Sequence, residues 1–377
     1  MRVLLTTDTI GGVWTYTREI TEGLLQRSHS VALCSFGRLP DAAQSAWCAD
    51  VASRFPGLFA YTPTNIPLEW MDENSTSYSG AKALLLDHVQ SFRPDLLHFN
   101  QFCFGALPVS LPKLVVAHSD VLSWAAACRP QGLDPSPWLT QYKSLVQAGL
   151  DGADAVTAPT HWMLQALADR FRLPRETYVI ANGRDLPAVS TQPIRELQAV
   201  TIGRLWDEAK GLALLAEISS PLPIYVAGES QHASQSAPTS LGDAHLLGHL
   251  SEASLLHLIH SSSIYLALSK YEPFGLAPLE AALCGCAIVA RDIPSFREVW
   301  ASAALYFQDA SSLEHLLERL HSHPDLLAQS QGRSMERARQ MTRSQMTELY
   351  LDLYLHLVEP EAHTCQFSAD EVRSLVS

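Results

Sequence analysis

Short apolar runs recur along this chain with helix-patterned segments between them, and that rhythm constrains the fold more than any other feature. The first series predicts strands at Val3–Thr7, Val31–Phe36, Leu96–Phe99, Leu114–Ala117, Ala155–Ala158 and Tyr178–Ala181. A second series predicts strands at Ala199–Ile202, Ile224–Ala227, His245–Leu247, Ile264–Leu268, Ala287–Ala290 and Leu305–Phe307. Runs that are apolar on both faces belong in parallel sheets covered on each side. The expected class is therefore α/β, with two Rossmann-like doubly wound domains. The rhythm breaks at Gly183–Gln198, where two prolines and several polar residues intervene. We place the domains there, at 1–185 and 186–344. A helix over about 345–358 is expected to return to the first domain, and a tail covers 359–377.

The length of 377 residues suits two cores of ordinary size. A net charge of -13 argues against general nucleic-acid binding. It argues equally against strong attachment to an anionic membrane surface. No apolar run approaches the length of a transmembrane helix. The opening MRVLLTTDTIGGVW reads as a strand and a glycine turn, without the apolar region of a secretory signal. Seven cysteines without a repeating spacing fit reduced thiols and a cytoplasmic setting. Cys284 and Cys286 read as buried packing residues.

The segment Tyr271–Ala282, YEPFGLAPLEAA, carries the densest chemical signal. It follows the strand IYLALS, turns at a glycine and enters a helix near Leu276. Backbone N–H groups of Phe274, Gly275 and Leu276 are then free to meet a phosphate. Glu280 is expected in the first turn, where a carboxylate suits vicinal hydroxyls of a ribose, and Glu272 lies before the turn within reach of a sugar.

EPFGLAPLE resembles the signature of retaining GT-B glycosyltransferases, family four, with two glutamates separated by seven residues. The resemblance implies that Glu272 lies beside the donor sugar and Glu280 holds the ribose, with the two domains facing a central cleft. TIGRLWDEAKG, at Thr201–Gly211, is similar to the family's Gly-Arg-Leu strand end followed by Lys-Gly. In the family that cationic pair, here Arg204 and Lys210, neutralises the diphosphate. The spacing between them is one residue longer than the commonest form. Gly11-Gly12 follows the first strand and, by resemblance, lies against donor phosphates and sugar, although such a pair is also an ordinary tight turn. It is not a dinucleotide fingerprint, because the GxGxxG spacing is absent.

VVAHSD ends a buried strand with His118, which the resemblance puts over the donor sugar. Asp120, Ser123 and Trp124 are candidates for the acceptor side. His98, Asn100 and Gln101 form a polar cluster near another strand's carboxyl end, read either as acceptor contacts or as a satisfied loop. Asn182-Gly183 resembles the family's loop before the linker.

The implied activity is a retaining hexose transfer from a nucleotide diphosphate sugar, UDP-sugar by preference, to an acceptor hydroxyl. By resemblance it needs no cofactor and no metal, and proceeds on one face of the sugar. Positioning and charge stabilisation would supply the catalysis. Two other readings remain open: a GT-B nucleotide-sugar epimerase, and a non-catalytic nucleotide-sugar-binding subunit. The first would need a carboxylate acid/base set at the sugar, which the residues do not display. The co-occurrence of Arg204, Lys210, Glu272 and Glu280 argues against the second.

Overall fold

In the computed structural model, residues 1–71, 76–187, 193–229, 231–232, 235–236, 241–363 and 365 are described. The chain divides into two compact units. The first comprises Met1–Ser123 and Gln131–Gly183 with a returning segment from Arg343. The second comprises Arg184–Thr342 with Trp124–Pro130.

The first unit holds a parallel sheet of seven strands: β1 (Arg2–Asp8), β2 (Ser30–Phe36), β3 (Phe59–Pro63), β4 (Leu96–Phe99), β5 (Lys113–Val116), β6 (Ala155–Ala158) and β7 (Glu176–Val179). Their order is β3-β2-β1-β4-β5-β6-β7. Along β1 successive side chains enter opposite cores: Leu4 joins Phe99 and Val115 on one face, while Val3 and Leu5 join Ile20 and Val116 on the other. This two-sided burial is why β1 reads as an unbroken apolar run. Its helices are α1 (Gly12–Gln26), α2 (Ala42–Arg54), α3 (Thr76–Phe92), α5 (Pro137–Gly152) and α6 (His161–Ala168), together with the start of α4 (Val121–Cys128).

The second unit holds a parallel six-stranded sheet and a short antiparallel ribbon, β10 (Gln231–His232) with β11 (Gln235–Ser236). The sheet strands are β8 (Glu196–Ile202), β9 (Ile224–Ala227), β12 (His245–Gly248), β13 (Ser262–Ala267), β14 (Ala287–Arg291) and β15 (Leu305–Phe307). They lie in the order β12-β9-β8-β13-β14-β15. Ala199 and Val200 of β8 again enter separate cores. The helices are α7 (Glu252–Ser261), α8 (Leu276–Leu283), α9 (Pro294–Trp300), α10 (Ala310–Ser322) and α11 (Pro324–Ala338). Two Rossmann-like parallel-sheet units thus make up the fold.

The last helix, α12 (Arg343–Val358), belongs to the first unit. Its Met346, Tyr350, Leu353 and Tyr354 are buried beside Tyr16, Ile20 and Leu24 of α1. Arg343 joins Glu19 at 2.6 Å and Glu22 at 2.9 Å, fixing the start of α12 on α1.

All the predicted strands form, with ends shifted by up to three residues. The reading missed β3, an edge strand whose residues are only half-buried or exposed and therefore lack an apolar run. Most of the tail at 359–377 and part of the Gly183–Gln198 break lie outside the described residues. All seven cysteines are free thiols. Cys284 and Cys286 are buried, and burial pushes each thiol up to about 12, as befits packing residues.

Candidate functional site

Each sheet reverses strand order once, between β1 and β4 in the first unit and between β8 and β13 in the second. Ligands of open α/β sheets bind outside the carboxyl ends of the strands at such points. The charged candidates of the second unit, and Gly11, Gly12 and Asn100 of the first, fall at these two places, whereas His98 does not.

In the second unit, β8 runs into Gly203 and Arg204, and β13 into the segment that carries Glu272. The residues between Arg204 and Lys210 fold as a tight turn, with Asp207 accepting from the Ala209 N–H at 3.0 Å. That turn returns Lys210 to the site. Its ammonium donates to Glu272 Oε2 at 2.7 Å, and the Ser269 hydroxyl donates to the same oxygen at 3.2 Å. Arg204 donates to Asp207 at 2.6 Å and lies 5.0 Å from the Trp206 ring centre. Both cations therefore rest on carboxylates. Lys210 and Glu272 are partly exposed, and the Arg204 guanidinium stays open to solvent although Asp207 is buried, so a diphosphate can compete for both cations.

Helix α8 begins on Gly275, whose φ of 97° is the left-handed conformation that glycine adopts without strain. Elsewhere α2, α5, α6, α7 and α10 are each closed by a side chain. At α8 no side chain caps the end. Helical geometry leaves the Leu276 and Ala277 N–H groups without an intrahelical acceptor, and Pro278 has none to satisfy. The exposed dipole end favours an anion. Phe274 contributes backbone alone, because its ring is buried in the core.

One placement is corrected. The first turn of α8 is Leu276–Leu279, so Glu280 opens the second turn. There its Oε1 accepts from Arg184 Nε at 2.7 Å. Arg184, only 4% exposed, also donates to Glu252 at 3.2 Å. Sequence reasoning missed Arg184 as a site residue. Its signal was its place directly after Asn182-Gly183, but nothing local joins it to a glutamate 96 positions onward.

In the first unit, α1 also begins on a glycine, Gly11 with φ of 75°, and has no side-chain cap. Asp8 at the end of β1 accepts from the Ile10 N–H at 2.9 Å and shapes that turn. Asn100, just beyond β4, donates to the Thr6 carbonyl at 2.7 Å and to Thr17 at 3.3 Å, and its amide oxygen lies 2.8 Å from His118 Nε2. The His118 ring stands edge-on to Tyr16, with centroids 4.5 Å apart. Burial lowers His118 to about 3, so the imidazole is neutral.

Asp120 is 3% exposed and its carboxylate accepts from the Leu122 and Ser123 N–H groups at 2.8 and 3.0 Å. It thereby organises the start of α4. Trp124 lies one turn on, its ring 5.1 Å from the Arg129 guanidinium carbon. Gln101 is buried, and its amide finds no partner among the described residues, so a ligand or water would satisfy it.

His98 does not sit with these groups at the strand end. It is fully buried inside β4, between the hydroxyls of Tyr16 at 3.2 Å and Tyr354 at 2.5 Å. Burial holds it near 3 as well. The alternation of a strand explains this: His98 faces the α1 and α12 side, and its polarity serves the core.

Residues 10–187 match the family model for Glycosyltransferase Family 4, and residues 200–338 match that for Glycosyl transferases group 1. This chain belongs to glycosyltransferase family four. A phosphatidyl-myo-inositol mannosyltransferase of Mycolicibacterium smegmatis is 28% identical over 154 residues, which is 37% of this chain and 39% of that one. Sucrose-phosphate synthase from Thermosynechococcus elongatus superposes with a TM-score of 0.70 at 17% identity, covering 94% of this chain and 99% of that one. Anabaena HepE, solved with UDP and glucose, superposes at 0.69 and 16% identity, covering 93% and 98%. The glycosyltransferase is thus of GT-B fold.

Among the described residues no helix is long and apolar enough to cross a membrane.

Proposed function

We propose that this glycosyltransferase moves a hexose from a nucleotide diphosphate sugar to an acceptor hydroxyl with retention of configuration and without a metal. One observation carries the reading. At the strand-order reversal of the second unit, two cations stand with two glutamates and the uncapped start of α8. The diphosphate gains charge as the glycosidic bond breaks, and preorganised cations and N–H dipoles stabilise that charge most in the transition state. Arg204 would exchange Asp207 for phosphate, and Lys210 would exchange Glu272. Glu272 is then released toward the hydroxyls of the donor sugar, while Glu280, held by Arg184, accepts from the ribose. Neither glutamate is asked to be a nucleophile. The departing phosphate takes the proton of the acceptor hydroxyl on the same face of the sugar.

UDP is the preferred nucleotide, supported by the fold shared with HepE, which was solved with UDP and glucose. Mannose is the second choice of sugar, supported by the mannosyltransferase relative. Acceptor selection we assign to the first unit. The test is a panel of UDP-, GDP- and ADP-sugars, scored for nucleotide release with and without saccharide, lipid-linked or small-molecule acceptors. Nuclear magnetic resonance then reads the anomeric configuration of the product, and activity is compared with and without a chelator. An inverted anomer, or loss of activity on chelation that added metal restores, would sink the retaining or metal-free part respectively. Binding without turnover would favour the non-catalytic subunit, and a new epimeric donor without acceptor the epimerase.

A further inference from the structure

The hydrogen bonds around His118 have a direction that can be read one donor at a time. The Thr7 hydroxyl donates to the carbonyl of Asp8 at 3.0 Å, which commits its hydrogen. The Thr17 hydroxyl, 2.8 Å from that of Thr7, must then be the donor of that pair. Its oxygen in turn accepts from Asn100 Nδ2 at 3.3 Å, and the same NH₂ group donates to the Thr6 carbonyl at 2.7 Å. A backbone carbonyl carries no hydrogen, so the Asn100 amide has one possible orientation: nitrogen toward Thr6, oxygen toward His118. An amide oxygen only accepts. His118 Nε2, 2.8 Å away, therefore carries the ring's proton.

We infer that Asn100 is a positioning residue, which holds His118 as its Nε2–H tautomer and so presents Nδ1 as a hydrogen-bond acceptor for a ligand hydroxyl. Nδ1 has no partner among the described residues. The neutral state that burial imposes on the ring agrees with this. Such an acceptor suits a sugar O–H and repels a phosphate oxygen, so His118 is not a third cation for the diphosphate. That the hydroxyl belongs to a sugar rests on the proposed function; the tautomer does not. Asn100 itself, placed by sequence among acceptor contacts, uses every polar atom of its side chain to orient the histidine.

The test begins on the unmodified protein. Long-range proton–nitrogen correlation spectra of ¹⁵N-histidine-labelled enzyme at neutral pH should show His118 wholly as the Nε2–H form. An Nδ1–H form or an imidazolium would overturn the inference, with no variant needed. Asn100→Leu should then show a share of the Nδ1–H form, and turnover of whichever panel donor is active should fall about tenfold or more with donor KM little changed. Asn100→Asp keeps an acceptor facing Nε2–H but sets its other oxygen against the Thr6 carbonyl, so it should keep Nε2 protonated and recover part of the turnover. Equal losses in both variants with an unchanged tautomer would reduce Asn100 to a purely structural residue and overturn the positioning role. If no donor in the panel turns over, the functional reading fails, while the spectra of the free protein still decide the tautomer.

Discussion

The two sheets of this chain reverse strand order in the same way, yet they furnish the reversal with opposite chemistry. The second unit collects charge: Arg184, Arg204 and Lys210 with Asp207, Glu252, Glu272 and Glu280. The first carries no such cluster of cations: it collects Thr6, Thr7, Thr17, Asn100 and a neutral His118, and its two carboxylates, Asp8 and Asp120, accept from backbone N–H groups. The same scaffold physics places both sets at strand ends, so the fold dictates where a ligand goes and the side chains dictate which part of it. Charge suits a diphosphate. Uncharged groups of fixed direction suit hydroxyls.

Removing the cations attacks that contrast where it is strongest. Arg204→Ala or Lys210→Ala should lower turnover about 100- to 1,000-fold, the scale on which a preorganised transition-state donor acts. Melting temperatures should fall far less than turnover: Glu272 is partly exposed, and Asp207, although buried, keeps its bond from the Ala209 N–H. Unchanged turnover in both variants would remove the charged site from the mechanism.

Arg184→Ala sharpens the contrast through stability. It removes a 4%-exposed guanidinium from beside Glu280, whose side chain is 14% exposed. A loss of about 3 kcal/mol in denaturant unfolding is expected, with weaker donor binding. Donor affinity unaltered in both this variant and Glu280→Ala would refute the ribose role of that carboxylate.

Acid should separate the units. His98 and His118 fall from an ordinary value of 6.5 to about 3 in the folded protein, in each case because burial disfavours the imidazolium. The unfolded chain therefore binds more protons below pH 6.5. Their contribution to stability is complete above that value and is lost progressively as the pH falls toward 3. Hydrogen exchange should show the first unit loosening before the second on going from pH 7 to 5. His260 of the second unit is lowered by burial too, but it is half-buried and its effect is smaller. Simultaneous loosening of both units would contradict the contrast. The smallest effect is expected for Glu348→Ala, which removes an exposed partner of Arg27. Its change in unfolding free energy should stay within about 0.5 kcal/mol, whereas a larger one would mean that α12 depends on that surface pair.

What the sequence determined by itself was local in origin. Burial on both faces leaves an unbroken apolar run in one strand, so the strands of both sheets could be read without knowing their neighbours. β3 escaped, because its residues are half-buried or exposed, and so did the two-residue strands β10 and β11, which are too short to leave a pattern. Glu272, Gly275 and Glu280 were legible for the same reason: a strand end, a glycine turn and a helix start are contiguous. Tertiary structure decided the partners. Arg184 holds Glu280 across 96 positions, Asn100 meets His118 across 18, and Tyr354 reaches His98 across 256. Periodicity records which face of an element is buried, but a pairing depends on which strand ends lie side by side, and that is fixed by the order of strands in the sheet.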